Sequence, residues 1–153
     1  AHNQTKPMMM NFVSKNLDFF KRMSILTTGS TGSALKKKLG LHIARKVASG
    51  PLGGDQEIGA MVTNGDVAAA FFFVDPLSPH PHDADIHALT RIFEVHNVLC
   101  ATNLITGEAL VYALKTDAKF RRLLLKSHVG RRDSEVVESY KVQQRKVVRT
   151  VAS

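Results

Sequence analysis

VAAAFFFV, residues 67–74, is an apolar run with no polar break, closed by Asp75. A one-sided antiparallel strand alternates apolar with polar residues, so an unbroken run predicts a strand buried on both faces of a parallel sheet. Upstream, Met23 to Leu26 leads into TTGSTG (Thr27 to Gly32), and Ser33 to Leu39 reads as a short helix ended by Gly40. Leu41 to Val47 is a second strand or a bridging segment. SGPLGGDQ (Ser49 to Gln56) follows, with a helix over Asp55 to Val62 stopped by Asn64 and Gly65. Downstream of DPLSPHPHDAD (Asp75 to Asp85), residues Ile86, Leu89, Ile92, Phe93 and Val95 recur at helical spacing. Val98 to Ala101 is a further strand and Thr106 to Leu114 another helix. Alternating strands and helices predict an α/β fold, a parallel sheet with helices on both faces, and in such sheets ligands sit beyond the carboxyl ends of the strands. Each of the three small-residue stretches follows a strand, so all three are expected to converge at that edge.

At 153 residues the chain is read as one domain, 1–153, long enough to bury a core without metal or disulfide staples. Its single cysteine, Cys100, excludes an internal disulfide and is expected to be a buried, inert thiol. No apolar stretch approaches the ~20 residues of a membrane span and no signal-peptide pattern opens the sequence, so the expectation is a cytoplasmic chain without membrane partners. The net charge of +8 is uneven: residues 1–114 carry ten basic and nine acidic groups, residues 115–153 eleven and four. The charge of that basic C-terminal segment is expected to lie on a solvated helix face; Val136, Val137, Tyr140, Val147, Val148 and Val151 approximate a helical stripe, interrupted by Gln143 and Gln144, and are read as a docking helix. With Phe120 and Tyr140 its only aromatics, nucleic-acid binding through the segment is disfavoured.

The chemistry follows from residue type. Thr27, Thr28, Ser30 and Thr31 are hydroxyls set among glycines before a helix, which suits a phosphate cradle, although a tight turn with a capping hydroxyl fits equally well. The stretch is neither a Walker loop nor a dinucleotide fingerprint. In SGPLGGDQ two glycines crowd Asp55 against a helix start. Asp55 either caps that helix or acts as a base, which requires desolvation or a substrate C–H acidified through its enolate. His80, His82, Asp83, Asp85 and His87 invite a metal reading, but Pro79 and Pro81 hold the chain extended around His80 and no complementary ligand set lies elsewhere. The sharper expectation is no metal, with a neutral His82 donating to a developing oxyanion and Asp85 beside it as a proton carrier.

Taken together, SGPLGGDQ, the apolar strand ending in DPL, PHDAD and ATN (Ala101 to Asn103) resemble the methylglyoxal synthase family, from His2 to about Leu110. The resemblance implies a three-layer α/β/α fold with a five-stranded parallel sheet, a homohexamer, and a lyase that converts dihydroxyacetone phosphate to methylglyoxal and inorganic phosphate without metal or organic cofactor. It assigns Asp55 as the base that removes the proton next to the carbonyl, His82 as the group that polarises the carbonyl, and Asp85 as the second carboxylate. Thr28, Ser30 and Thr31, with Ser49, Gly50, Lys6 and His2, fall on the substrate and phosphate positions. Asn3 stands where the family usually has aspartate. Arg145 and Arg149 are both candidates for the family's C-terminal phosphate-site arginine.

The resemblance also implies that an apolar strand, central in the family sheet, precedes the Ala-His opening, so the expectation is that the natural protein has N-terminal residues ahead of Ala1. The same fold resembles the allosteric domain of carbamoyl phosphate synthetase, which makes a non-catalytic phosphate- or nucleotide-sensing domain the alternative. The Asp55, His82 and Asp85 set argues for the lyase, because holding a phosphoester does not need those carboxylates.

Overall fold

The structure, a computed structural model, describes residues 3–78, 82–128 and 134–151, with side chains over 3–78, 82–124 and 134–145. Among the described residues, four short strands alternate with helices. α1 (Lys6–Lys15) and α2 (Leu17–Phe20) precede β1 (Leu26–Thr28), α3 (Gly29–Leu39) and β2 (Arg45–Val47). A 3-10 turn, Gly50–Leu52, leads into α4 (Gly54–Thr63), then β3 (Ala69–Phe71), α5 (Asp83–Val95), β4 (Leu99–Ala101) and α6 (Leu104–Thr116). α7 (Ala118–His128) and α8 (Glu135–Val151) close the chain.

All the pairing is parallel: β1 lies on β2 with Leu26 opposite Arg45, and β3 on β4 with Ala69 opposite Leu99. The strands form two pairs, β1-β2 and β3-β4, each joined by a helical crossover as parallel neighbours require. Parallel α/β architecture is therefore as the sequence predicts, while the strands are shorter than their apolar runs. Within β3 and its extension Phe71 and Phe73 face one cluster and Ala70 the other, the period of two that buries both faces.

The larger cluster, on the side of α1, α2, α3 and α6, is aromatic. Phe12 has no exposed surface and meets Phe20, Phe71 and Phe73 at ring centroid distances of 5.5, 5.4 and 5.2 Å. Truncating a ring so enclosed costs on the order of 3–5 kcal/mol. The smaller cluster, Val62, Leu89, Phe93 and Val98, holds α4 and α5 on the opposite side. Helices thus cover both faces of the strands.

α6 is capped by the Asn103 side chain, which accepts from the Thr106 N–H at 3.0 Å, and α7 by Asp117, which accepts from Lys119 and Phe120 at 2.8 and 2.9 Å. The tail divides in two. Phe120 and Leu124 of α7 pack against the large cluster, whereas Val136, Tyr140 and Val142 of α8 are exposed, so the expected docked helix is α7 rather than the valine stripe. Ser134 ties the start of α8 to the body by donating to the Val95 carbonyl. No helix among the described residues is long and apolar enough to cross a membrane.

Candidate active site

Three strand ends supply the site. β1 leaves the sheet at Thr28 in extended geometry (ψ 157°), and Gly29 already belongs to α3. The TTGSTG stretch is therefore mostly the first turn of a helix, not a loop before one that starts at Ser33. Thr28, Ser30 and Thr31 stand at a helix N-terminus, where first-turn N–H groups lack intrahelical partners and favour an anion. Gly32 is a packing requirement in this turn, since a Cβ there would lie 2.1 Å from Thr27 Oγ1. That hydroxyl is buried and has no hydrogen-bond partner among the described residues.

Lys6 reaches the same turn from α1. Its Nζ donates to Ser30 Oγ at 2.8 Å and to Asn3 Oδ1 at 2.6 Å. Both acceptors are neutral, and no carboxylate among the described residues lies within ion-pair distance of Lys6, so its charge remains for a ligand.

The second strand end delivers Ser49 and Gly50, and the turn after them places Asp55 in the first turn of α4, only 5% exposed. The third delivers His82, at the N-cap position of α5, with Nδ1 2.9 Å from Asp55 Oδ2. Gly50 backbone lies directly on this pair: a Cβ at Gly50 would sit 2.8 Å from Asp55 Oδ2 and 2.9 Å from His82 Cε1. Asp55 is thus buried, hydrogen-bonded to one imidazole and roofed by backbone.

Lys6, Thr28, Ser30, Thr31, Ser49, Gly50, Asp55 and His82 all line one cavity of about 1170 Å³. Asp85 stands apart from that lining. It is half-buried in the first turn of α5, donates its N–H to the His82 carbonyl at 3.0 Å, and its carboxylate has no partner among the described residues. His2 and His80 lie outside the described residues. Asp83 and His87 form an exposed pair at 3.6 Å. Asp75 accepts from the Leu77 N–H at 3.3 Å and so shapes the turn after β3.

Of the two tail arginines, Arg145 is exposed on α8 and the Arg149 side chain lies outside the described side chains. The arginine that lines the cavity is Arg121, absent from the sequence-level candidates, and its Nη1 donates to the Leu114 and Lys115 carbonyls at 2.6 and 2.8 Å. Nothing in local sequence marks it. Asn3 was legible only through the resemblance, as the residue that stands where the family usually has aspartate. Cys100 is half-buried, and burial with the nearby Glu94 charge pushes its thiol up to about 11, which leaves it protonated and unreactive.

The arrangement is an anion cradle beside a buried carboxylate–imidazole pair. It is suited to holding a phosphoester while a proton is taken from a neighbouring carbon. Residues 8–102 match the family model described as "MGS-like domain". The chain is 46% identical over 111 residues to a methylglyoxal synthase of Borrelia garinii, covering 72% of this chain and 87% of that one. It is 45% identical over 114 residues to one of Carboxydothermus hydrogenoformans, covering 74% and 93%. Among solved structures it is similar to a methylglyoxal synthase of Elizabethkingia anophelis, with a TM-score of 0.67 and 32% identity over 72% of each chain.

Proposed function

Because the chain belongs to the MGS-like family, with methylglyoxal synthases among its relatives, we infer that it is a carbon–oxygen lyase that converts dihydroxyacetone phosphate to methylglyoxal and inorganic phosphate. One observation carries the reading: the buried Asp55, bonded to His82 and roofed by Gly50, opens on the cavity that also holds Lys6 and the α3 N-terminus.

The phosphate of the substrate is gripped by Lys6, the hydroxyls of Thr28, Ser30 and Thr31, and the Ser49–Gly50 turn. Asp55 removes a proton from the hydroxymethyl carbon, and the electron pair moves onto the carbonyl oxygen to give an enediolate. The hydroxyl on that same carbon then loses its proton and becomes a carbonyl, the enediolate double bond shifts onto the phosphate-bearing carbon, and the bridging C–O bond breaks, its electron pair leaving on inorganic phosphate, which takes up the hydroxyl proton. The remaining enolate takes the proton held by Asp55 on its terminal carbon to become methylglyoxal. Orientation decides between this and simple reprotonation, because elimination needs the breaking bond perpendicular to the enediolate plane. A phosphate fixed from two sides imposes that angle, and Lys6 and the helix terminus take up the charge as it departs.

The 2.9 Å contact links the two steps of this proton account. A singly protonated imidazole that presents its Nε2–H to the substrate oxygen has a bare Nδ1, and a bare Nδ1 needs a protonated Asp55 opposite it. Asp55 must be ionised to abstract a proton, so the contact is then donated by the His82 Nδ1–H, and His82 donates from Nε2 to the enediolate as the doubly protonated ring. Asp85 serves as the second carboxylate, and His2 completes the substrate contacts.

The reading extends to a five-stranded sheet, a homohexamer and a cytoplasmic enzyme that bypasses part of glycolysis, with 115–153 a basic segment of a single domain.

The test is incubation with dihydroxyacetone phosphate, following methylglyoxal and inorganic phosphate together. Equal release of both, lost in Asp55→Asn while inorganic phosphate still binds, is the expected result. A folded protein that binds phosphate and releases neither product is instead a phosphate-sensing domain.

A further inference from the structure

α8 lies beyond residues 8–102, which match the family model, and none of its described side chains lines the cavity. Its own residues specify it as a helix. Ser134 Oγ accepts from the Val137 N–H at 3.2 Å and caps the start. Glu135 and Glu138 sit in the first turn, and Lys141, Arg145, Lys146 and Arg149 follow toward the other end, the order that the helix dipole favours. The body of the domain gives it little cover: every residue from 138 to 145 is exposed, Tyr140 at 61%, and Val137 is half-buried. A helix bathed in water gains nothing from an apolar side, so that side calls for a partner.

The spacing of that side is specific. Val137, Tyr140, Gln144, Val147 and Val151 succeed one another at intervals of three, four, three and four residues. This is the a/d repeat of a coiled coil, with Val137, Gln144 and Val151 at a, and Tyr140 and Val147 at d. The flanking e and g positions are Val136, Lys141, Gln143, Val148 and Thr150, of which Lys141 alone is charged. Glu135, Glu138, Arg145, Lys146 and Arg149 all fall at the outer positions b, c and f. A lipid surface would be met instead by a broader apolar face built on leucine or aromatic residues.

The polar residue in the seam identifies the partner. Gln144 occupies the middle of the five a/d layers, and its amide both donates and accepts, so its complement is a second amide at the same height. An unrelated apolar helix leaves that amide unpaired. Another α8 running parallel and in register supplies it, and also sets Val137 on Val137 and Val151 on Val151, β-branched residues at a as two-stranded coils favour. Lys141 then lies across from the partner's Val136, and no like charges meet beside the seam. An antiparallel copy matches a layers with d layers, which sets Gln144 against Tyr140 or Val147 and loses the amide pair.

We propose that α8 is a dimerisation helix: its a/d seam pairs in parallel with α8 of a second copy of this chain, with Gln144 on Gln144 fixing the register. The 17 residues give a seam about 25 Å long. The pairing is independent of the reaction performed in the cavity.

So short a coil is weak, and the test therefore traps it covalently in the full chain. With Cys100→Ala as background, Gln144→Cys, Val151→Cys and Val142→Cys each carry a single thiol, the first two at a and the third at the outer f position. Under mild oxidation the first two are expected to form disulfide-linked dimers roughly 10-fold faster than the third, because a disulfide requires Cβ atoms about 3.8 Å apart. Adding Tyr140→Glu to Gln144→Cys is expected to abolish that advantage, and the exposure of Tyr140 keeps the change out of the core. Equal rates at 142, 144 and 151, or a Gln144→Cys rate that Tyr140→Glu leaves unchanged, overturn the proposal. Linkage at 144 without linkage at 151 overturns the parallel register. A thiol at 144 that stays unlinked, and is shielded from a thiol reagent only when phosphatidylserine vesicles are added, also overturns it and assigns the face to a lipid surface.

Discussion

Gly50→Ala is the most informative single change, because the three atoms nearest the new methyl group all belong to the Asp55–His82 pair. The new Cβ would lie 2.8 Å from Asp55 Oδ2, 2.9 Å from His82 Cε1 and 3.0 Å from Asp55 Oδ1, against the 3.4 Å at which ordinary contact begins. Relief therefore demands a displacement of 3.4 − 2.8, or about 0.6 Å, by atoms now held 2.9 Å apart. The backbone gives no reason for loss of fold: Gly50 is not in the left-handed region, and alanine restricts the unfolded chain by about 0.4–1 kcal/mol in the protein's favour. The charged hydrogen bond, worth about 1.5–3 kcal/mol, is what gives way. Misplacing a reacting group by a fraction of an ångström to 1 Å costs up to about 100-fold in rate. The expected variant melts within a few degrees of the parent and binds inorganic phosphate, with kcat reduced roughly 30- to 100-fold and KM little changed. Steady-state release of methylglyoxal and a thermal melt read both quantities. A folded variant with kcat within two-fold of the parent would refute the placement of Gly50 on the base.

Asn3→Asp adds a carboxylate beside Lys6, and about 1 kcal/mol of repulsion toward a phosphate dianion raises KM and the inhibition constant of inorganic phosphate roughly five-fold; tighter phosphate binding in the variant would contradict the assignment of Lys6. Thr27→Val removes a buried hydroxyl that has no partner among the described residues, so urea denaturation should show stability unchanged or raised by up to ~1 kcal/mol, whereas a loss above ~1 kcal/mol would mean that the hydroxyl is satisfied. The Cys100 thiol is raised in the fold from 9.0 to about 11, so the unfolded chain deprotonates first and stability, complete below pH 9, falls as pH rises toward 11. Cys100→Ala should remove that alkaline decline in a pH series of melts, and alkylation of the native thiol at pH 8 should be much slower than in denaturant.

How much of this was legible beforehand can be followed residue by residue. The unbroken run at 67–74 revealed a strand packed on both faces because the period-two signature of a one-sided strand was missing, and Phe71 and Ala70 do face opposite clusters, although the β3 residues themselves are half-buried. α5 was read from its 3.6-residue stripe, and begins at Asp83, three residues before the first apolar member. The first helix was misread at its start. Gly29, Ser30, Thr31 and Gly32 have poor helix propensity, but β1 delivers Thr28 in cap geometry and Gly32 lets the turn close over Thr27, so packing overrides propensity. The valine stripe of α8 suggested a docked face, yet the amphipathic pattern alone does not supply a surface to dock on.

By itself the sequence determined the alternation of strand and helix, the two-sided burial of β3, and which residue types stand at the carboxyl ends of the strands. These are local properties: periodicity, capping and side-chain chemistry are read within a few residues. Only the tertiary structure decided that Asp55 and His82, 27 residues apart, share a hydrogen bond, that Lys6 reaches Ser30 across 24 residues, and that Arg121 rather than Arg145 lines the cavity. Those pairings depend on strand order and on helix packing angles, which no stretch of chain encodes alone.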